Sequence, residues 1–186
     1  MKNELVLLCH AATHAMKAGF FPTLDDPIEH LERPRLSALA SAYMPGRVVT
    51  SPALAAVETG RAFGMAMPTD AQWSDLDHGR WQGRFLKEIY DEDADGLSAW
   101  LSEPDSAVHG GESLEALRAR VASALDVQPH EGITLIVTHA IVVKVALAVV
   151  LEAPLAAVYR MDLEPLSAIT LTRSDNAWRL RYKPLV

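Results

Sequence analysis

The chain has 186 residues, of which 49% are hydrophobic, and its formal net charge is −7. We expect residues 1–186 to form a single domain, with a loop or helical insertion at about 84–110. The 17 lysines and arginines form no run, so we expect no nucleic-acid partner. The most apolar stretch, 140–151, is interrupted by Lys144 and is too short to cross a membrane. A single cysteine excludes an intramolecular disulfide and fits a cytoplasmic protein.

The first third of the chain alternates between apolar runs and helical patterns. The continuous apolar run at 5–8 is typical of a strand buried on both faces, and a flexible stretch of small residues follows it. Proline positions and turn residues then mark the next elements. We predict a helix from Pro34 to about Pro45, a strand at 48–49, and a helix through Ala62 with Ser51 as N-cap and Pro52 at its first position.

The centre of the chain is less regular. Residues 73–83 have no clean period and carry two glycines, which predicts a loop, and 85–101 is helical but interrupted by Gly96. The segment GGESLEALRARVASAL predicts a helix, because its leucines and Val121 fall on one face, whereas Arg118 and Arg120 lie off that face.

The last third returns to strands. Residues 133–137 form a buried apolar run, and a helix begins at Thr138 or His139. Strands at 168–172 and 178–182 follow, joined by a turn at Asp175 and Asn176. This alternation favours an α/β fold, a three-layer sandwich around a mixed, mostly parallel sheet.

Two of the apolar strands run directly into a histidine, His10 and His139. Ligands of such sheets bind at the carboxyl ends of the strands, so we expect both imidazoles in one pocket. A neutral imidazole can attack phosphorus, and a second one can donate hydrogen bonds to phosphoryl oxygens. A carboxyl group of the central loop, Asp75 or Asp77, can protonate the leaving oxygen.

Five segments, in order and over nearly the whole chain, resemble motifs of the histidine phosphatase (phosphoglycerate mutase-like) superfamily. LLCHAATHAMKAG resembles R-H-G-x-T-x-x-N, and TSPALAAVETGRAFG resembles S-P-x-x-R-A-x-x-T. WSDLDHGRWQG is similar to L-x-E-x-x-x-G-x-x-(E/Q)-G. HGGESLEALRARV and LIVTHAIVVKVAL resemble P-G-G-E-S-x-x-x-x-x-x-R-V and V-x-H-G-x-x-I-R.

The resemblance implies a phosphoglycerate mutase-like fold and hydrolysis of a small phosphorylated metabolite through a phosphohistidine. It implies that His10 is the nucleophile, that Asp75 is the acid, and that His139 and Thr13 hold the phosphoryl oxygens. No cofactor and no metal are expected, because the His10–His14 pair lacks the glutamate that accompanies zinc-binding histidines.

The departures from these motifs concern anion binding. Cys9 and Ala55 stand where the family has arginines, and Met16 stands where it has asparagine. We expect positions 9 and 55 to accept arginine, because we place them at the edge of the site. The side chains that offer replacement ligands lie outside the family positions, and they are Lys17, Arg80, His14, His78, Arg33 and Arg35.

Two functions follow from this mixture of matches and departures. The first is a phosphoryl hydrolase, and the second is a catalytically inactive phosphatase-like protein that binds a small metabolite or a protein partner. Glu112 and Ser113 have two interpretations, substrate binding or helix capping. Cys9 is interpreted as a buried small side chain. The tryptophans at 73, 81 and 100 are interpreted as core or pocket wall.

Overall fold

The computed structural model describes residues 3–128, 132–174 and 177–182, and its five strands form one mixed sheet. The strands are β1 (Asn3–Cys9), β2 (Arg47–Thr50), β3 (Gly132–Thr138), β4 (Ala168–Ser174) and β5 (Ala177–Arg181). Their order in the sheet is β2-β3-β1-β4-β5. β3 pairs in parallel with both β1 and β2, whereas β4 is antiparallel to β1 and β5. The predicted mixed α/β sheet is therefore confirmed.

Helices cover both faces of this sheet. The helices are α1 (His14–Ala18), α2 (Arg33–Ala42), α3 (Leu54–Arg61), α4 (Leu86–Glu92), α5 (Ala94–Ser102), α6 (Leu114–Asp126) and α7 (Ala140–Val150). Side chains alternate along β1, so Leu5 and Leu7 lie in one apolar cluster and Val6 and Leu8 lie in another. α6 and α7 pack on the first cluster, and α2 and α3 pack on the second. Short 3-10 turns lie at His30–Glu32, Ala71–Trp73, Gly79–Trp81 and Leu155–Arg160.

α1 occupies the stretch that we predicted to be flexible. The hydroxyl oxygen of Thr13 accepts a hydrogen bond from the Met16 amide and caps the helix. Gly19 closes it with a φ of 82°, a conformation that glycine adopts without steric cost. Five residues are too few to show a helical period, so the capping residues were the only available signal.

The predicted start of α3 is wrong. The helix begins at Leu54 with Ala53 as its N-cap, so Pro52 lies in the turn before it. The hydroxyl of Ser51 accepts a hydrogen bond from the Ala53 amide at 3.3 Å and also bonds a histidine of the site described below. The serine therefore belongs to the site.

The interruption that we assigned to Gly96 lies instead at Asp93, between α4 and α5. The Asp93 carboxylate accepts a hydrogen bond from the Gly96 amide at 2.9 Å and caps α5. A Cβ atom at position 96 would lie 2.3 Å from that carboxylate, so the cap requires glycine there.

The predicted turn at Asp175 and Asn176 lies outside the described residues, and the strand predicted at 178–182 is observed at Ala177–Arg181. Trp73 and Trp81 are buried, as predicted. Within the described ranges, no helix is long and apolar enough to cross a membrane.

Candidate active site

His10 and His139 directly follow the two central parallel strands. Cys9, the last residue of β1, lies opposite Thr138, the last residue of β3, and the His10 amide donates a hydrogen bond to the Thr138 carbonyl at 2.9 Å. The two imidazole centroids are 4.9 Å apart, with an angle of 74° between the ring planes. The histidines that follow the strands thus meet at one edge of the sheet, as the sequence predicted.

His10 is 6% exposed, and its Nδ1 lies 2.7 Å from the carbonyl oxygen of Ala11. Because a carbonyl only accepts, Nδ1 carries the ring proton and the lone pair of the neutral ring is on Nε2. Burial and the neighbouring His139 lower the pKa of His10 to about 4, although the Ala11 carbonyl and Asp75 act in the opposite direction. The ring is therefore neutral near pH 7.

His139 is contacted at both ring nitrogens. Its Nε2 and the Ser51 hydroxyl share a hydrogen bond of 2.8 Å, and its Nδ1 lies 3.3 Å from a carboxylate oxygen of Asp75. Sequence reasoning did not identify Ser51 as a site residue, although it is the serine of the S-P motif. These two contacts fix the orientation of the His139 ring opposite His10.

Asp75 is the acidic member of this cluster. Burial alone would raise the pKa of its carboxyl, but His139, His78 and His10 outweigh burial and hold the pKa below its usual range. One carboxylate oxygen also accepts a hydrogen bond from the Leu76 amide at 2.9 Å. Asp75 is therefore ionised in the free site.

The loop that carries Asp75 is held by Arg120 of α6. This guanidinium donates to the carbonyl oxygens of Gln72, Ser74 and Asp75 at 2.8, 3.0 and 3.1 Å. It also forms a two-point ion pair with the Glu112 carboxylate, at 2.9 and 2.7 Å. The sequence placed Arg120 off the apolar face of the helix, and its side chain is largely covered by the loop and the carboxylate that it binds.

A cavity of about 390 Å³ opens above the two histidines. Most of its wall is apolar, including Ala55 and Trp100, and no arginine of the described part of the chain lines it. Its polar or ionisable lining comprises His10, Thr13, Thr23, Asp26, Asp75, His78, His139, Lys144 and Tyr159.

Four predicted substrate-binding residues lie elsewhere. Lys17 pairs with Glu29, and Arg80 donates to the Val108 carbonyl and pairs with Asp93. Ser113 is the N-cap of α6, with its hydroxyl 3.2 Å from the Ala116 amide, and the Glu112 carboxylate is bound to Arg120. Of the predicted ligands, the structure brings Thr13 and the replacement candidate His78 to the cavity, together with the catalytic candidates His10, Asp75 and His139.

Cys9 is fully buried, so our expectation that position 9 lies at the edge of the site is wrong. Burial and, to a smaller extent, Asp75 raise the pKa of its thiol to about 12. Ala55 is also packed, against Ala11, Ile28 and Leu36, although it reaches the cavity wall.

Lys144 lines the cavity, and sequence reasoning did not propose it as a site residue. It is the fifth residue after His139 and occupies the position of the arginine in V-x-H-G-x-x-I-R. That match was available in the sequence, but Lys144 was considered only as a charge that interrupts an apolar run.

The family model of the histidine phosphatase superfamily (branch 1) matches residues 5–183. The chain belongs to this superfamily. A bifunctional protein of Mycobacterium tuberculosis is 27% identical to it over 174 residues, covering 87% of this chain and 48% of the relative. Phosphoserine phosphatase 1 of Hydrogenobacter thermophilus is 25% identical over 137 residues, covering 66% of this chain and 63% of the relative. The chain thus spans about half to two-thirds of the length of these curated relatives.

Solved structures of histidine phosphatase superfamily relatives share the fold. The α-ribazole phosphatase of Shigella flexneri superposes with a TM-score of 0.85 at 20% identity, covering 96% of this chain and 95% of that one. A mycobacterial glucosyl-3-phosphoglycerate phosphatase superposes with a TM-score of 0.79 at 23% identity, covering 96% of each chain. These likenesses establish the phosphoglycerate mutase-like architecture.

Proposed function

We propose that this histidine phosphatase superfamily member is a phosphomonoesterase that acts through a phosphohistidine on His10. The observation that carries the proposal is the cluster of His10, His139 and Asp75 at the floor of one cavity. A nucleophile, a second histidine and a carboxyl group within contact distance are the groups that phosphoryl transfer through histidine needs.

His10 is prepared for attack on phosphorus. Its Nδ1 proton is held by the Ala11 carbonyl, and its lowered pKa keeps Nε2 unprotonated at neutral pH. In the first step, Nε2 forms a bond to phosphorus while the bond from phosphorus to the ester oxygen breaks. No base is needed, because the attacking nitrogen carries no proton.

The leaving oxygen requires a proton, and Asp75 is ionised in the free site. The proton therefore enters with the substrate, as the acidic proton of a phosphate monoanion. The Asp75 carboxylate accepts that proton and transfers it to the alkoxide as the ester bond breaks.

Water completes the cycle. The regenerated Asp75 carboxylate accepts a proton from a water molecule, whose oxygen attacks phosphorus while the bond to Nε2 breaks. That proton then passes from Asp75 to the inorganic phosphate, which leaves as the monoanion, and Asp75 is ionised again. Thr13 is proposed to donate its hydroxyl proton to a phosphoryl oxygen, since its oxygen already accepts from the Met16 amide. His139 holds Asp75 and stands opposite His10, because both of its nitrogens already have contacts within the protein.

The test is hydrolysis of 4-nitrophenyl phosphate by the wild type and by His10→Ala and Cys9→Ala. We expect His10→Ala to abolish turnover and Cys9→Ala to leave it within a few-fold, because the buried thiol is protonated. The wild type, stopped during turnover, should carry an acid-labile, alkali-stable phosphoryl group that His10→Ala lacks. A wild type that binds phosphate but never turns over would favour the phosphatase-like binding protein instead.

A further inference from the structure

The cavity has little positive charge for a site that must hold a phosphoryl group. Two carboxylates, Asp26 and Asp75, line it, and the histidines beside them, His10 and His78, have lowered pKa values because they are buried. The Asp26 carboxylate accepts a hydrogen bond from the Thr23 amide at 2.7 Å. Of the described lysines and arginines, Lys144 alone lines the cavity.

Lys144 has an unusual position. It lies on α7 between the buried residues Val143 and Val145, and its side chain is only partly exposed. Within the described ranges it has no ion pair and no hydrogen bond. An ammonium group at a cavity wall without a counter-ion from the protein is available to an anionic ligand.

Lys144 shares its cavity with His10 and His139. Its charge acts on the thiol of Cys9, the residue immediately before His10, and lowers the pKa of that thiol against the larger effect of burial. α7 begins directly after His139, so one helix connects the second histidine and the ammonium group. Lys144 thus lines the same cavity as the two histidines between which the phosphoryl group would lie.

The rest of the wall determines what the phosphate can be attached to. Most of the cavity wall is apolar, and Trp100, Leu101, Leu114, Ile141 and Val158 contribute to it. A sugar or an amino acid in contact with this wall would lose hydration from its hydroxyl or charged groups without gaining partners. An aromatic or aliphatic group gains from the same burial.

We propose that Lys144 is the anion ligand of this site and that the substrate is a phosphomonoester of an apolar alcohol. The inference rests on the proposed phosphomonoesterase function. A compact ammonium ligand takes the place of the guanidinium groups that the family has at positions 9 and 55. It holds the phosphoryl oxygens while the apolar alcohol packs against Trp100 and Leu101.

The anion half is tested with inorganic phosphate as the probe, by calorimetry on the wild type, Lys144→Met and Lys144→Arg. We expect Lys144→Met to weaken phosphate binding by about 10- to 100-fold, the loss of one charge-assisted contact, and Lys144→Arg to retain most of it. The control is Lys87→Met, which removes an exposed lysine paired with Asp91 on α4. Phosphate binding by Lys144→Met at wild-type affinity would overturn the assignment, and thermal unfolding verifies that each variant is folded.

The alcohol half is tested with two primary alkyl phosphates, 2-phenylethyl phosphate and glycerol 3-phosphate. We expect kcat/KM to be at least about 10-fold higher for the phenylethyl ester, from the burial of its ring. Leu101→Asn, at a half-exposed cavity position, should lower kcat/KM for that ester alone. Equal values for both esters would overturn the apolar assignment.

Failure of this inference is distinguishable from failure of the phosphatase function. If His10→Ala is inactive while Lys144→Met behaves as the wild type, the phosphatase function holds and the anion ligand is wrong. If the wild type hydrolyses neither 4-nitrophenyl phosphate nor the two alkyl esters but Lys144→Met loses phosphate binding, the anion ligand holds and the phosphatase function is wrong.

Discussion

The carboxylate of Asp75 lies 3.3 Å from His139, and this contact determines how it can take part in catalysis. The surrounding histidines hold its pKa below the usual range, so it receives a proton before it donates one. A general acid that receives its proton from the substrate is needed most when the leaving alkoxide is a strong base.

Replacement of Asp75 by Asn should therefore depend on the leaving group. We expect kcat for 2-phenylethyl phosphate to fall by about 10²- to 10⁴-fold, the usual contribution of general acid catalysis, whereas kcat for 4-nitrophenyl phosphate falls far less. Steady-state kinetics with both esters measures the difference. An equal loss with both would mean that Asp75 orients His139 and does not protonate the leaving group.

The sequence correctly identified those cavity residues that directly follow a strand or lie within a recognised motif. His10, Asp75 and His139 converge because they follow β1 and β3 or belong to a matched loop. Lys17 and Arg80 did not converge, because carboxylates closer to them, Glu29 and Asp93, bind them outside the cavity. Pairing between surface charges depends on which side chains are close in space, and the sequence alone does not show this.

The element that supports the site most directly is α6. One side of this helix is buried through Leu117 and Val121. From a neighbouring position Arg120 reaches the loop that carries Asp75, so one side chain donates hydrogen bonds to three of its carbonyl groups. Through Arg120, the helix thereby positions the loop that carries the Asp75 carboxylate.

Arg120→Met should destabilise the protein by about 2–4 kcal/mol, because it leaves these carbonyls and the Glu112 carboxylate unpaired. It should also lower kcat/KM for the phenylethyl ester. Arg118→Met on the same helix removes only an exposed pair with Glu115 and should cost less than about 1 kcal/mol. Urea unfolding of both variants measures the contrast, and similar losses would contradict the role given to Arg120.

Helical periodicity correctly predicted the buried face of α6 and placed Arg120 off that face, but it did not predict that the Arg120 side chain is largely covered. The pattern of apolar residues assigns a direction to each Cα, whereas a long guanidinium side chain can turn back toward the core. For α3, the S-P dipeptide has the chemistry of a helix start, but the bond between Ser51 and His139 engages the serine elsewhere. A tertiary contact overrode a local preference.

On the scale of the whole molecule, several histidines are buried in their neutral forms. His10, His78 and His109 all have lowered pKa values, in each case first of all because burial disfavours the charged ring. The unfolded chain protonates these rings near pH 6.5, whereas the folded chain does so only at lower pH. The folded state is therefore weakened by moderate acid.

Stability should fall as the pH decreases from 6.5 toward 4. With a folded pKa of about 4 and an ordinary value of 6.5, His10 alone should account for about 2 kcal/mol between pH 7 and 4.5. His10→Gln should show a correspondingly smaller fall in urea unfolding. His30→Gln, at an exposed position, should keep the wild-type slope. Equal slopes for all three proteins would show that His10 is not buried in its neutral form.

The sheet was the most predictable part of the fold. Apolar runs separated by helical patterns determine a layered α/β arrangement, and the parallel pairing of β1 with β3 follows from their burial on both faces. The depth of Cys9 was not predictable in the same way. Whether a strand end opens to a cavity depends on what covers it, and that is a property of the assembled layers.

The buried thiol of Cys9 is a natural probe for opening of the site. The sequence contains one cysteine, and it is fully covered directly beneath His10. A thiol-specific reagent can react with Cys9 only when the structure around it opens. The labelling rate therefore measures how often that opening occurs. Because a ligand that binds the closed cavity slows the same reaction, one colorimetric assay detects occupancy without turnover and without an engineered label.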